Sequence, residues 1–468
     1  MKYLQHTLIV LVLLCISCSR EKPSVVLSFT GDVILARGVS DKLNIYGDTL
    51  LSERLKPLLD GSIATINLET VLTQDTVPVT GGYALRADTA LARVLMWGGV
   101  GAAFIKNNHA LDFGLRGLTS TQQYLEKAGI HGEEALSSRL GGKNLSLITA
   151  SLVHIDDFEQ SAEIDSLLNK VSASATRKAD IPVLLYLHWG VEYQPEPTDA
   201  QRKLAYRLID AGADAIIGHH PHVFQTIEFY KHKPIIYSLG NFVADAYLPG
   251  TTRGAIATIP LSDTLGHFRI KPVDLTDYFP REMSTKEEMA FFRQNLLFND
   301  SVCFLKVDDQ WQVREANGIN FQEQAGTWLF SAGRGRMLSV RQLEEGRYKL
   351  SVFDGSGYQS SLALHGKLSQ LMMADIDNDG RQELMLNIRK AVDFDKEPKN
   401  RLNIFDIDSD GSIKAQWLGT KFLRDLESFK VIKMNERNYL KTTETEAEAS
   451  YQRIYEWDEF GFALSNMN

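Results

Sequence analysis

Three histidines in four residues, His219, His220 and His222, close the stretch ADAIIGHHPH directly after the apolar run Ala215 to Ile217. Imidazoles therefore stand where a buried strand ends. Pro221 fixes the backbone between His220 and His222, so the two rings can diverge toward two metal ions about 3.5 to 4 Å apart. This geometry puts those two ahead of His219. Four earlier strand-like runs end alike, in Gly31-Asp32, Asn67-Leu68-Glu69, Asn107-Asn108-His109 and His188-Trp189-Gly190, and the run Pro234 to Leu239 ends in Gly240-Asn241. Asp, Glu, Asn and His gathered at strand ends have the composition of a divalent-metal site. Taken singly, each has a blander reading. Gly-Asp is an ordinary turn, His188 a packed imidazole, and Glu192 in HWGVEY a surface acid. His109 and Asp112 are three apart, close enough for the carboxylate to orient the imidazole, and the same residues could instead form a polar turn capping a helix. Arg37, five residues past Asp32, either clamps an anionic group or is a solvated arginine at a helix start.

The elements that must position these residues alternate. Strands are expected at Val25 to Phe29, Ser62 to Asn67, Gly101 to Ile105, Leu145 to Val153 and Ile181 to Leu187, as well as before the histidines and before Asn241. Helical spacing covers Leu50 to Leu59, Asp88 to Met96, Leu115 to Ala128, Ile164 to Arg177 and Thr198 to Ala211, the last stopped by Gly212. Strand–helix alternation of this kind makes an α/β sheet, whose ligands collect beyond the carboxyl ends of the strands. The insertion from Gly81 to Arg93 reads as a substrate-facing loop.

At 468 residues the chain exceeds the usual size of one core, so two folded parts are expected. A net charge of -9 with no long basic run argues against nucleic acid as a partner. The start, MKYLQHTLIVLVLLCISC, has the short apolar core of an export signal and is too short to span a bilayer. Cys18 after Ile16-Ser17 resembles a bacterial lipoprotein processing box, with Cys15 where such boxes usually carry Leu. That implies a signal over residues 1–18, acyl chains on Cys18 and a lipid-anchored, exported protein of the bacterial cell envelope. The alternative is a plain secretory signal cut nearby. Beyond the leader only Cys303 remains, read as a buried strand thiol.

Taken in order, the blocks FTGDVILAR, INLET, NNHALDFG, HWGVEY, GADAIIGHHPH and YSLGNF resemble the CapA or PgsA-type family of capsule and poly-γ-glutamate biosynthesis proteins, related to calcineurin-like metallophosphoesterases. The resemblance runs over roughly residues 25–275. It implies a four-layered α/β/β/α sandwich with metals at the strand tips. Carried over, Asp32 and His222 would hold one metal, Asn108, His188 and His220 the other, and Glu69 would bridge them. His109, oriented by Asp112, would take the place of the histidine that protonates a leaving group. Asn241 and Arg37 would face substrate. The implied cofactors are one or two divalent metals per chain (Mn, Mg, Fe or Zn), and the implied partners an anionic surface polymer or its precursor, the membrane through the lipid anchor, and polymer synthase components. Where phosphoesterases carry Asp-x-His, this chain has Asp32-Val33-Ile34, which removes one ligand of the first metal.

Past Val273 the pattern changes. Residues 276–300 are charged and helix-prone and read as a linker or cap, and 301–468 read as a smaller β-rich domain. Units at YKLSVFDGSG, RLNIFDIDSDG and YQRIYEWDEFG recur about every 50 residues like propeller blades, in an open or sandwich arrangement. Asp375, Asp377 and Asp379, followed by Gly380, begin like a calcium loop, and the turn from Asp406 to Gly411 repeats the pattern. Leu386 and Trp417 stand where an EF-hand needs Glu, and the turns more closely resemble the Asp-rich hairpins of FG-GAP-type blades. The expected function is metal-dependent hydrolysis or transfer on a surface polymer or its precursor. A non-catalytic polymer-binding or synthase-assembly factor is the alternative, and a calcium-dependent adhesion module a third reading.

Overall fold

The computed structural model describes residues 26–465 except 81–82, 133–144, 156, 178–180, 261–267, 276, 297–301, 308, 317–325, 334, 355–356, 393–394, 419–421, 448 and 459–460. Cys18 and the leader lie outside the described residues.

The N-terminal half is built on two sheets. In the first, β1 (Val26–Val33) pairs in parallel with β2 (Ile63–Leu68), and β2 with β3 (Val100–Phe104). In the second, β4 (Ser146–Ser151), β5 (Val183–His188) and β6 (Ala215–His219) run parallel, followed by β8 (Lys233–Ile236) and then the antiparallel β7 (Ile227–Tyr230). Side chains alternate across each strand, so each sheet has two apolar faces to bury. Leu27 and Phe29 of β1 meet Leu184 and Tyr186 of β5 and Ile217 of β6 in one core between the sheets. The opposite face of the first sheet, with Ala64 and Ile66, is covered by α1 (Gly38–Tyr46), α2 (Thr49–Leu59), α3 (Leu91–Trp97) and α4 (Gly114–Lys127) through Leu43, Leu51, Leu55, Leu95 and Leu125. The opposite face of the second, with Val183, Leu185 and Leu187, is covered by α5 (Ala162–Arg177) and α6 (Asp199–Asp210) through Ile164, Val171, Leu204 and Leu208. Helix α6 starts on a capping box in which the Thr198 hydroxyl accepts from Gln201 N and the Gln201 side chain reciprocates.

Two glycines let the segment 237–240 pass close against the ends of β1 and β6. A Cβ on Gly31 would sit 1.7 Å from the Gly240 carbonyl oxygen, and one on Gly218 would sit 1.9 Å from that of Tyr237. These contacts bring the ends of β1, β6 and the following β9 (Asn241–Val243) to one edge.

The two parts of the chain share a sheet. From β1 it continues antiparallel through β10 (Arg253–Pro260), β11 (Phe268–Asp274), β13 (Gln310–Glu315) and β12 (Val302–Val307), reaching thirteen strands in all. The stretch expected as a linker or cap instead carries α7 (Thr285–Leu296), whose Phe291, Phe292 and Leu296 are buried in the inter-sheet core. Lys286, Glu287, Glu288 and Arg293 are interspersed among the apolar positions and mask, in the sequence, the residues that the core requires.

The same sheet ends in a four-stranded antiparallel run, β14 (Thr327–Ser331), β15 (Met337–Glu344), β16 (Arg347–Asp354) and β17 (Gly357–His365). Two further four-stranded sheets follow. The second holds β18 (Lys367–Ala374), β19 (Glu383–Val392), β20 (Asp395–Ile407) and β21 (Ile413–Leu418). The third holds β22 (Asp425–Met434), β23 (Arg437–Glu446), β24 (Ala449–Asp458) and β25 (Gly461–Leu464). The repeated units read in the sequence fall on the third strand of each run, β16, β20 and β24. The first run and the second sheet share one core (Leu350, Leu384, Phe405), and the second and third sheets share another (Leu402, Leu426, Leu440).

Candidate metal centre

Asp32, on β1, is fully buried and acts as the anchor of the site. It receives Asn67 Nδ2 at 2.7 Å and the His220 backbone N–H at 3.1 Å, and lies 3.2 Å from His222 Nδ1. Glu69, one residue beyond β2, is also buried, and Asp32, Glu69 and His222 each present a ligand atom within 4.8 Å of the others. Asp32 likewise groups with His188 and His219, and Glu192 with His220 and His222. Asn108 Oδ1 lies 2.7 Å from His188 Nε2, and the His188 and His220 rings are 4.6 Å apart. Asp32, Glu69, Asn108, His188, His220 and His222 are thus brought to one place.

The structure adds Asn67 and His219 to that group. Asn67 Nδ2 lies 2.7 Å from Asp32, 3.0 Å from Glu69 Oε1 and 3.3 Å from His188 Nδ1, while its Oδ1 accepts from Asn107 Nδ2 at 3.0 Å. The Asn67 amide therefore spans the two halves of the site. Because an amide nitrogen has only two hydrogens, it serves at most two of those three acceptors at once. His219 Nδ1 lies 2.8 Å from His188 Nδ1 and 3.5 Å from Asp32. The sequence signal for both residues was position alone: Asn67 ends an apolar strand, and His219 opens the histidine cluster.

Backbone strain accompanies the cluster. His220 has φ 102° and His222 φ 58°, left-handed values that L residues adopt at a cost of order 1–3 kcal/mol each. Pro221 sits between them, and the two rings are 5.9 Å apart.

Protonation is divided sharply. Burial raises the pKa of Asp32, but hydrogen bonds from His219 and His222 outweigh it and hold the carboxyl well below its usual range. Burial and the charge of Asp32 push Glu69 well above. Burial lowers His188, with the neighbouring His219 and His220 adding to it, and takes His220 down to about 4 together with His222. His222 moves the other way. Burial opposes its charge, yet Glu69 and the Asp32 hydrogen bond drive it up to about 10. Three atoms, Glu69 Oε2, His219 Nε2 and His220 Nδ1, are buried without a hydrogen-bond partner. Neutral imidazoles, a depressed carboxylate and buried orphan donor atoms suit a divalent metal bound through N and O.

His109 and Asp112 stand beside this group. Asp112 Oδ2 lies 2.9 Å from His109 Nδ1 and accepts the Leu85 N–H at 2.8 Å, and its Oδ1 accepts from the Thr80 hydroxyl at 3.2 Å. With Nδ1 engaged by Asp112, Nε2 is the other ring nitrogen of His109. A cleft of 670 Å³ opens over the site, lined among others by Arg37, Tyr83, His109, Glu192, Tyr193 and Tyr247. Arg37 is paired with Asp245 at 2.7 Å. Asn241 lies against His222 Nδ1 at 3.0 Å and donates to the Thr251 carbonyl at 3.0 Å, so it orients His222 as well as lining the cleft.

Residues 26–133 and 141–246 match the family model described as bacterial capsule synthesis protein PGA_cap. That match, with the relatives that follow, supports a bacterial capsule synthesis protein family for the N-terminal half of the chain. Among relatives, it is 28% identical over 326 residues to the capsule biosynthesis protein CapA of Bacillus anthracis, covering 63% of this chain and 79% of that one. It is 27% identical over 307 residues to the PGA biosynthesis protein CapA of Bacillus subtilis, covering 60% and 80%. A probable polyglutamine synthesis accessory protein of Mycobacterium tuberculosis is 30% identical over 217 residues, covering 39% and 56%. Asp32, Asn67, Glu69, Asn108, His109, Asp112, His188, His219, His220, His222 and Asn241 all fall inside the matched segments.

Proposed function

We propose that this protein takes part in the biosynthesis of a capsule or surface polymer of poly-γ-glutamate type, as a metal-dependent hydrolase or transferase on a layered fold of metallophosphoesterase kind. The relatives named for capsule and polyglutamate synthesis support the biological setting. The chemical reading is carried by one observation: Asp32, Glu69 and His222 converge with Glu69 Oε2 buried and unpartnered. Asp32, Glu69 and His222 would hold one divalent metal, of the Mn, Mg, Fe or Zn class, and Asn108, His188 and His220 a second. Bound there, a metal lowers the pKa of a water ligand and stabilises developing oxyanion charge. The chain's own residues do the rest. Asn67 and Asn241 fix Asp32 and His222, His109 Nε2 delivers a proton to the leaving group with Asp112 holding its other nitrogen, and Arg37 positions an anionic portion of the substrate in the cleft.

A second reading is favoured by a specific feature. Ile34, buried among apolar neighbours, stands where an Asp-x-His pair would supply a further ligand. A non-catalytic factor that uses the site to bind polymer or a synthase is consistent with that substitution. The proposal includes export and anchoring through an acylated Cys18, with the polymer or its precursor as partner.

The deciding experiment measures metal content and phosphoester hydrolysis in the protein and in a His188→Ala, His220→Ala double variant. Bound metal and hydrolysis lost together in the variant support the hydrolase. A protein that binds no metal and stays inactive with added Mn or Mg leaves the assembly role.

A further inference from the structure

Away from the cleft, the hairpin between β18 and β19 gathers carboxylates that the reaction does not use. Asp375 and Asp377 on the turn and Glu383, the first residue of β19, each offer an oxygen within 4.8 Å of the others. Glu383 is wholly buried, and its Oε1, like Asp375 Oδ1, is sealed from solvent without a hydrogen-bond partner. The companion oxygens of Glu383 and Asp375 are taken by the turn itself, while Asp377 is held on both sides, its Oδ2 accepting from Gln416 Nε2 at 2.8 Å. Ile376 N donates to Glu383 Oε2 at 2.9 Å, Gly380 N to Asp375 Oδ2 at 3.1 Å and Asp379 N to Asp377 Oδ1 at 3.1 Å.

Asp379, expected as the third ligand, is not part of the group. Its carboxylate is exposed and engaged by Arg381, which also bonds Asp406 at 3.0 Å. Strand pairing explains the exchange: Glu383 lies opposite Ala374 in the register, at the mouth of the turn, while Asp379 points off its tip. Carboxylates buried together are unfavourable unless a cation sits among them. All three donors are hard oxygens, the set preferred by calcium and its class rather than by zinc or copper.

We propose that Asp375, Asp377 and Glu383 bind a calcium-class divalent cation, and that this ion fastens the third sheet to the second. The same turn makes the connection. Asn378 Oδ1 accepts the Asn438 N–H at 2.6 Å, Asn378 Nδ2 donates to the Asn438 carbonyl at 3.2 Å, and Asn438 Nδ2 donates to the Asp375 carbonyl at 2.6 Å. Asn438 lies on β23, so the acids on one side of the turn set the backbone whose other side grips the third sheet. The related turn at 408–411 is occupied differently: Asp408 pairs with Lys414 and bonds the Ser412 hydroxyl.

The test uses the full chain, freed of metal, with Ca²⁺ binding followed by equilibrium dialysis and limited proteolysis following release of the third sheet. One Ca²⁺ per chain, retained in the His188→Ala, His220→Ala variant, weakened at least tenfold in Glu383→Gln, and protecting the third sheet from cleavage supports the proposal. Glu383→Gln without calcium is expected to resist protease at least as well as the calcium-free wild type, because a neutral amide relieves the buried repulsion; this separates lost binding from lost folding. Absence of calcium binding at millimolar concentration, or equal binding by Glu383→Gln, overturns the site. Binding with unchanged cleavage overturns the fastening.

Discussion

The divided protonation of the histidines predicts a stability maximum for the metal-free protein near pH 6.5. His222 is raised from 6.5 to about 10, so its favourable charge is fully present below 6.5 and is lost as pH climbs toward 10. His188, His219 and His220 are shifted down, so they must gain protons on unfolding, and their contribution falls as pH drops below 6.5. Each pKa unit corresponds to about 1.4 kcal/mol. A shift from 6.5 to about 10 therefore sets a ceiling of about 5 kcal/mol for His222, with a slope of at most about 1.4 kcal/mol per pH unit above 6.5. Glu69, raised by burial and by Asp32, contributes a loss that begins as pH rises above 4.5. The assay is urea unfolding of chelator-treated protein from pH 5 to 9.5, read as the midpoint against pH for wild type and His222→Gln. The wild type should fall on both sides of the maximum, and the variant should lose most of the alkaline slope. An unchanged alkaline slope in His222→Gln would refute the assignment of that charge to His222.

Two further outcomes follow from the geometry. Asp112→Asn should leave metal content intact while lowering turnover on the order of 10²-fold or more, since the amide cannot favour the His109 tautomer that Asp112 selects; loss of metal in step with turnover would instead make Asp112 a support of the metal centre. Gly31→Ala should prevent soluble expression of a folded chain, because its Cβ would fall 1.7 Å from the Gly240 carbonyl, and a soluble variant with a native near-UV spectrum would contradict the strand crossing.

The alternation of strand and helix from residue 26 to 246 was legible because each buried strand is a short apolar run with a polar end, and each helix shows its apolar face at i, i+3, i+4. Helix α1 and strands β7, β10 and β11 were not read, since their spans are short or mix charged with apolar residues. The gathering of Asp32, Asn108, His188, His220 and His222 was legible for a topological reason: parallel strands carry their carboxyl ends to one edge of the sheet. Asn67 was not, because an asparagine at a strand end looks like any turn former until its partners are known.

What the sequence by itself determined is therefore which residue types stand at strand ends and which runs are buried, because both depend on local order along the chain. Only the tertiary structure decided that Asn67 links the two halves of the site, that α7 is core rather than linker, and that Glu383 replaces Asp379 among the hairpin acids. Each of those outcomes depends on what a side chain meets across the fold or on strand register, and partners distant in sequence set both.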